Sequence, residues 1–199
     1  MKVKMKFFRF SLLLAFVFLL QPLAGIGQTY QVNSKSSSIK VKGTSTLHDW
    51  EMVVGDFDCK VDAFINDQLK LVINSVNFSC DATSLTSDNS IMDKKAQEAL
   101  NANRHKRIGF VFASTKEVAI QGGTVQGNVN GNMNISGVNR KLVLPFSGVV
   151  DTDYNVKLSG ELKMKMSDFN MKSPTALLGT VKTGDDVTVV YELHFDKIK

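Results

Sequence analysis

With two cysteines, three histidines and one tryptophan in 199 residues, the chain has little material for metal or redox chemistry. Cys59 and Cys80 are too far apart for the Cys-x-x-Cys spacing of a redox or zinc site. There is no Gly-x-Ser-x-Gly elbow, and no glycine-rich loop leads from a strand into a helix with a following lysine. Nucleophilic catalysis is therefore without support. A large basic stripe of the kind that displaces counterions from phosphates is also missing. Arg104, His105, Lys106 and Arg107 make the one short basic run, which reads as a solvated turn entering a strand.

The amino terminus carries the main charge asymmetry. Lys2, Lys4, Lys6 and Arg9 form a positive head, and the stretch from Phe7 to Leu20 is apolar apart from Arg9 and Ser11. Gly25 and Gly27 flank Ile26 just before Gln28. Head, short apolar run and small-x-small exit are the parts of a secretory signal peptide, so residues 1–27 are expected to be cleaved near Gly27. An uncleaved anchor is the alternative, although the run is short for a membrane span and no second one follows. No lipobox cysteine stands at the exit. The leader holds four basic residues and no acid, so 24 basic and 19 acidic residues fall to 20 and 19 without it. Residues 28–199 are then expected to form one nearly neutral domain, periplasmic or secreted and not embedded in a membrane.

Alternation with period two dominates that domain and marks strands with one buried face. Val125, Val129, Met133 and Ile135 share a face with Gly127 and Gly131, opposite a row of Gln and Asn. Ile108, Phe110 and Phe112 form another such face, as do Leu142, Leu144 and Phe146. Val156, Leu158, Leu162, Met164 and Met166 alternate with Lys, Ser and Glu, and Val187 to Phe195 close the series. Earlier strands are predicted at about 37–46, 52–65 and 69–81. Asn66-Asp67, Gly122-Gly123 and Asp151 to Asn155 supply tight turns, and hence antiparallel neighbours. One segment changes period. After Ser90, read as an N-cap, Met92, Ala96, Ala99 and Leu100 fall at helical spacing. A shorter helical turn is predicted at 174–178, and Asp185-Asp186 reads as a solvated turn before the last strand.

About eight antiparallel strands remove their edges by closing. The fold class is thus all-β with one short helix, a closed lipocalin-like barrel of about eight strands. Apolar faces inward and Asn, Lys, Ser and Glu outward are the reverse of an outer-membrane barrel. A barrel of this size is either filled by side chains or holds one small ligand. Methionines adapt to irregular apolar shapes, and Met133, Met164, Met166 and Met171 gather late in the chain. Periodicity alone leaves the solid and the hollow interior both open.

The order of several short blocks resembles the YceI-like family, exported polyisoprenoid- and lipid-binding proteins with a lipocalin-like barrel. The blocks are Tyr30-Gln31-Val32, then Gly43-Thr44-Ser45-Thr46-Leu47-His48-Asp49-Trp50, then Ser84-Leu85-Thr86-Ser87 running into Met92-Asp93. Ile108-Gly109-Phe110 follows, then Gly131-Asn132-Met133-Asn134-Ile135-Ser136-Gly137-Val138, then Asp168-Phe169-Asn170-Met171 and Asp185-Asp186-Val187-Thr188-Val189. The resemblance covers nearly all of residues 29–199. Lys106 stands where family members often have proline, and the cysteine pair is not part of the family pattern. The resemblance implies an isoprenoid or fatty chain in an apolar tunnel, which favours the hollow reading.

On inward parity, the candidate ligand-binding residues of that tunnel are Phe110, Phe112, Met133, Ile135, Leu144, Phe146, Leu162, Met164, Val189 and Tyr191. An oxidising destination favours a disulfide between Cys59 and Cys80, able to stabilise by roughly 3 kcal/mol. Two buried thiols are the competing reading. His48 and Asp49 point to opposite faces of an extended strand, and His105 and His194 are distant in sequence, so neither a metal site nor catalytic residues are assigned. Trp50 is read as a plug at one barrel end, with His48 or Asp49 bonding backbone or His48 meeting a ligand head group. The function expected is carriage, storage or scavenging of a hydrophobic small molecule, with no cofactor, no nucleic-acid partner and no enzymatic step. The alternative is a solid structural or interaction barrel. A dimer is compatible with the sequence, which does not set the oligomeric state.

Overall fold

The structure, a computed structural model, describes residues 28–198 apart from residues 69 and 117. The expected leader lies outside the described residues. Period-two alternation becomes strand throughout: β1 (Gln28–Val32), β2 (Ser38–Ser45), β3 (Trp50–Val54), β4 (Phe57–Ile65), β5 (Lys70–Asp81), β6 (Leu85–Thr86), β7 (Arg107–Thr115) and β8 (Val118–Gln121). After them come β9 (Thr124–Ile135), β10 (Val138–Val150), β11 (Val156–Lys165), β12 (Thr175–Ala176) and β13 (Val181–Lys197). One helix, α1 (Ser90–Ala99), interrupts the series.

Strands β1, β4, β5, β7, β9, β10, β11 and β13 pair in that order, all antiparallel. The ring closes where β1 meets β13, Tyr30 opposite Lys197 and Val32 opposite Phe195. This is an eight-stranded closed barrel, and closure leaves no long edge unpaired. Its outer face is charged: Lys40 pairs with Glu51 and Lys157 with Glu192. The longest hairpin, β9 to β10, turns through Ser136 and Gly137, both at positive φ as a tight hairpin turn requires.

One half of the interior is solid. Gly127 and Gly131 sit on the inward face of β9, where the rings of Phe146 and Phe110, from the neighbouring strands β10 and β7, lie over them and leave no room for a Cβ. Small against large is how a narrow barrel fills its axis. Tyr30, Ala63, Leu71, Val118, Val125 and Phe195 complete this plug at the end carrying the turns near residues 66–68, 122–123 and 151–155.

The other half flares. The chain steps out of register between β1 and β2, where Asn33 N–H donates to the His194 carbonyl. It breaks again between β3 and β4 at Gly55, whose N–H donates to the Ser84 carbonyl. The continuous strand expected over 52–65 is therefore two. Past this level β2, β3 and β6 extend one wall of the barrel, and β7 pairs β5 only as far as Arg107 opposite Asp81. The connection carrying α1 spans the opening between β6 and β7.

Several expectations change in detail. Asn89, not Ser90, caps α1: its side-chain oxygen accepts from the N–H groups of Ile91 and Met92 at 3.0 and 3.2 Å. Ser90 is the first helical residue. Asp185 and Asp186 lie inside β13, at an irregularity between Thr183 and Val187, and do not form a turn before it. The 174–178 segment is a two-residue strand followed by a 3₁₀ turn at Leu177–Gly179.

The disulfide reading is corrected. Cys59 and Cys80 are both buried free thiols. They lie on adjacent strands, but Cys59 is opposite Phe78 and Cys80 opposite Phe57. That places them diagonally, two residues out of register, where Cα atoms stand about 7–8 Å apart. A bridge fits only below about 7 Å. Burial pushes the Cys59 thiol up to about 12 and the Cys80 thiol up to about 11, from an ordinary 9.0. The folded chain thus keeps protons that the unfolded chain loses above pH 9.0, so stability falls with rising pH between that value and the raised ones. Denaturant midpoints of the parent should drop more steeply over this range than those of C59A/C80A, and equal slopes would refute the burial argument.

Candidate functional site

The flared half encloses a cavity of about 360 Å³. Its deep walls come from Ile39 and Val41 of β2, Met52 and Val54 of β3, Cys80 of β5, Ile108 of β7, Met133 and Ile135 of β9, and Val187 and Val189 of β13. Phe169 and Met171, from the turn after β11, close one side. Helix α1 is the roof: Met92, Ala96 and Ala99 face the cavity, at the helical spacing visible in the sequence. No residue of α1 is fully buried, because its apolar stripe borders the cavity instead of packing on a core.

Methionine lines this space throughout. Met52, Met92, Met133, Met164, Met166 and Met171, every methionine beyond residue 27, are at its surface. Unbranched, polarisable side chains repack around apolar shapes at little cost. Polar groups come from the ends of elements: Ser45 at the end of β2, His48 before β3, Asn89 and Lys95 at α1, Lys165 at the end of β11, and Thr175 and Thr183. The cavity is thus apolar in depth and polar at its mouth.

The 43–50 block builds one lip of that mouth. Gly43 lacks a Cβ, and the Trp50 indole occupies the space that one would take. The indole N–H donates to the Thr44 carbonyl at 3.0 Å. Ser45 Oγ accepts from the N–H groups of Leu47 and His48 and donates to the His48 carbonyl, which sets the turn. Thr46 then ties the turn to the start of β13: its N–H donates to the Lys182 carbonyl at 3.0 Å, and its Oγ accepts from Lys182 N–H at 3.2 Å. His48 Nδ1 bonds the Asp49 carbonyl at 2.6 Å. Trp50 therefore lies flat along the cavity wall and does not plug a barrel end.

A second lip, on the other side of β13, is pinned by acids. The Asp185 carboxylate accepts from Ser167 N–H at 2.8 Å and from its hydroxyl at 2.5 Å, which holds that carboxyl below the usual range. Asp168 accepts from Lys165 N–H, and Arg140 donates to the Asp168 carbonyl. These bonds fix the turn that presents Met166 and Phe169.

Of the residues selected by parity, Met133, Ile135, Met164 and Val189 line the cavity. Phe110 and Phe146 lie in the plug below it, with Phe112 and Leu144 packed against them. Leu162 is buried in β11 outside the cavity lining. Tyr191 points inward and donates to the Pro145 carbonyl, and burial pushes its hydroxyl up to about 12. Parity reports which face is inward and carries no information on depth along the barrel. Of the residues it missed, Met92, Ala96 and Ala99 were marked by the helical stripe and Phe169 by the Asp168-Phe169-Asn170-Met171 block, whereas Met52 carried no signal of its own. Among the described residues no three His, Cys, Asp or Glu side chains gather to hold a metal ion.

A family model described as the YceI-like domain matches residues 30–195. The chain belongs to the YceI-like family. Among solved structures, Burkholderia cenocepacia BcnA superposes with a TM-score of 0.61 at 18% identity, covering 82% of this chain and 98% of that one. A polyisoprenoid binding domain from Saccharophagus degradans, implicated in plant cell wall breakdown, gives 0.62 at 9% identity over 85% of this chain and 98% of its own. The Campylobacter jejuni YceI protein gives 0.53 at 20% identity, over 72% and 82%. At such identities the likeness is one of fold. No curated protein matches the sequence. Within this YceI-like barrel, the Gly43–Trp50 contact offers a direct check on the mouth. Valine in G43V collides with the indole, and overpacking of this kind costs about 1–3 kcal/mol. The single tryptophan should then show red-shifted emission together with a lowered urea midpoint; unchanged emission would place Trp50 elsewhere.

Proposed function

We propose that this chain is an exported binding protein for a long apolar molecule of the polyisoprenoid or fatty-acyl type, which it carries, stores or scavenges outside the cytoplasm. The observation that carries the reading is the methionine-lined cavity, walled by the closed barrel and roofed by α1. Its volume lies in the ordinary range for ligand pockets, about 300–1,000 Å³. Each methylene moved from water into such a lining contributes about 0.8 kcal/mol, so useful affinity needs no specific polar contact. The polar mouth suits a ligand that keeps one end near water, with His48, Lys95 and Lys165 available to a head group. The Saccharophagus degradans relative is a polyisoprenoid binding domain, which agrees with this choice of cargo. Export rests on the charged head, apolar run and small-residue exit of residues 1–27.

Native mass spectrometry of freshly purified protein, followed by organic extraction, tests the reading directly. A stoichiometric lipid is expected, and added prenyl or acyl chains should blue-shift Trp50 emission. A99F, which projects a ring from the roof into the cavity, should weaken uptake by tenfold or more, about 1.4 kcal/mol. K163E, on the outer face, should leave it unchanged. Protein that is free of lipid and takes up neither labelled chain would defeat the proposal in favour of a purely structural barrel.

A further inference from the structure

The cavity stops at one level of the barrel. On the inward row of β7, Ile108 lines it and the next residue, Phe110, does not; on β9 the same step separates Met133 from Gly131, and on β13 it separates Val189 from Tyr191. Strand pairing sets these steps side by side. Phe110 stands opposite both Phe78 and Met133, the deepest lining residues of β5 and β9. Two aromatic rings occupy the first level below. Phe110 lies over Gly131, and Tyr191 lies over Gly160 of β11 while donating to the Pro145 carbonyl of β10. Each ring takes the room that a glycine leaves on the neighbouring strand.

Among the described residues the space does not continue beneath these rings. Phe110 and Val125 are each 1% exposed and Ala63 is 2% exposed, so this level is sealed from water. The far end of the cavity is closed, and its volume of about 360 Å³ therefore sets a capacity. An apolar cavity of roughly 150 Å³ takes one benzene, or about 25 Å³ per carbon. At that density the space holds about fourteen carbons.

We propose that Phe110, seated on Gly131, is a chain-length stop, and that the barrel encloses an apolar tail of about fourteen carbons, the size of a myristoyl or farnesyl group. This rests on the binding reading above and narrows it. Up to the stop, each methylene that leaves water tightens binding about fourfold. A longer isoprenoid or acyl chain keeps its remainder outside the mouth, where further methylenes stay in water and add nothing. Tyr191 braces the same level from the β13 side through its bond to Pro145. The barrel thus selects by length, with its discrimination placed at the closed end and not at the mouth.

A series of saturated fatty acids from about eight to about twenty carbons, each below its micelle concentration, tests the stop by titration against the emission of Trp50, which lines the cavity. Affinity should climb about fourfold per added carbon and level off near about fourteen. F110A should move that break outward by up to about six carbons, those of the ring removed. V189F, which adds about four carbons to the deepest lining position of β13, should move it inward by a similar number. V189F fills open space and leaves the floor intact, so it decides the matter if F110A unfolds. Affinity that keeps climbing to the longest acid overturns the proposal, as does a break at the same length in the parent and in V189F. Binding to no acid of any length defeats the ligand reading itself, and the stop falls with it; binding without a break defeats the stop alone.

Discussion

Everything in this structure follows from closing eight antiparallel strands around a space that their own side chains fill only halfway. Below the level of Gly55 the strands run close and regular, and the rings of Phe110 and Phe146 pack inside the barrel over Gly131 and Gly127 of the adjacent strand. Above it the chain steps between β1 and β2 and breaks between β3 and β4, the wall moves outward, and the same inward-facing residue types no longer meet across the middle. Burial of apolar surface drives the filling of the lower half. In the upper half the backbone ladder keeps the walls apart, and α1 covers the remaining opening.

The mouth shows how polar detail supports an apolar site. Its two lips are held by short-range hydrogen bonds: Ser45 and Thr46 on one side, Asp168 and Asp185 on the other. None of these groups is needed to hold an apolar chain. They position Trp50, Met166 and Phe169, whose side chains form the surface a ligand would touch. The 43–50 block that stands out in the sequence is thus chiefly structural, with Gly43 making room, Thr44 receiving the indole, Ser45 setting the turn and Thr46 anchoring it.

Apolar groups are placed in two opposite ways at the open end of the barrel. Inside, methionines gain by being covered; outside, Leu177 and Leu178 are displayed at a cost to the backbone. Both occur at the same end of the barrel, and the turn-rich end is solid. The molecule thus has one open end and one solid end.

Much of this was legible in the sequence. Alternation on the later strands marked the inward faces, turn residues implied antiparallel neighbours, and the Met92, Ala96, Ala99 stripe marked the helix, because each depends on local periodicity. The ordered blocks from Tyr30 to Val189 pointed to the family. What the sequence did not contain was depth: Phe110 and Met133 share parity and are register partners, yet one fills the plug and the other lines the cavity. The cysteine pair is similar, since facing inward on adjacent strands permits a bridge but a two-residue diagonal offset forbids it. Face is a property of the strand itself and can be read from its residues. Depth, register and the level at which the wall breaks are decided only when distant strands meet, so the tertiary structure alone determined where the barrel is solid and where it is hollow.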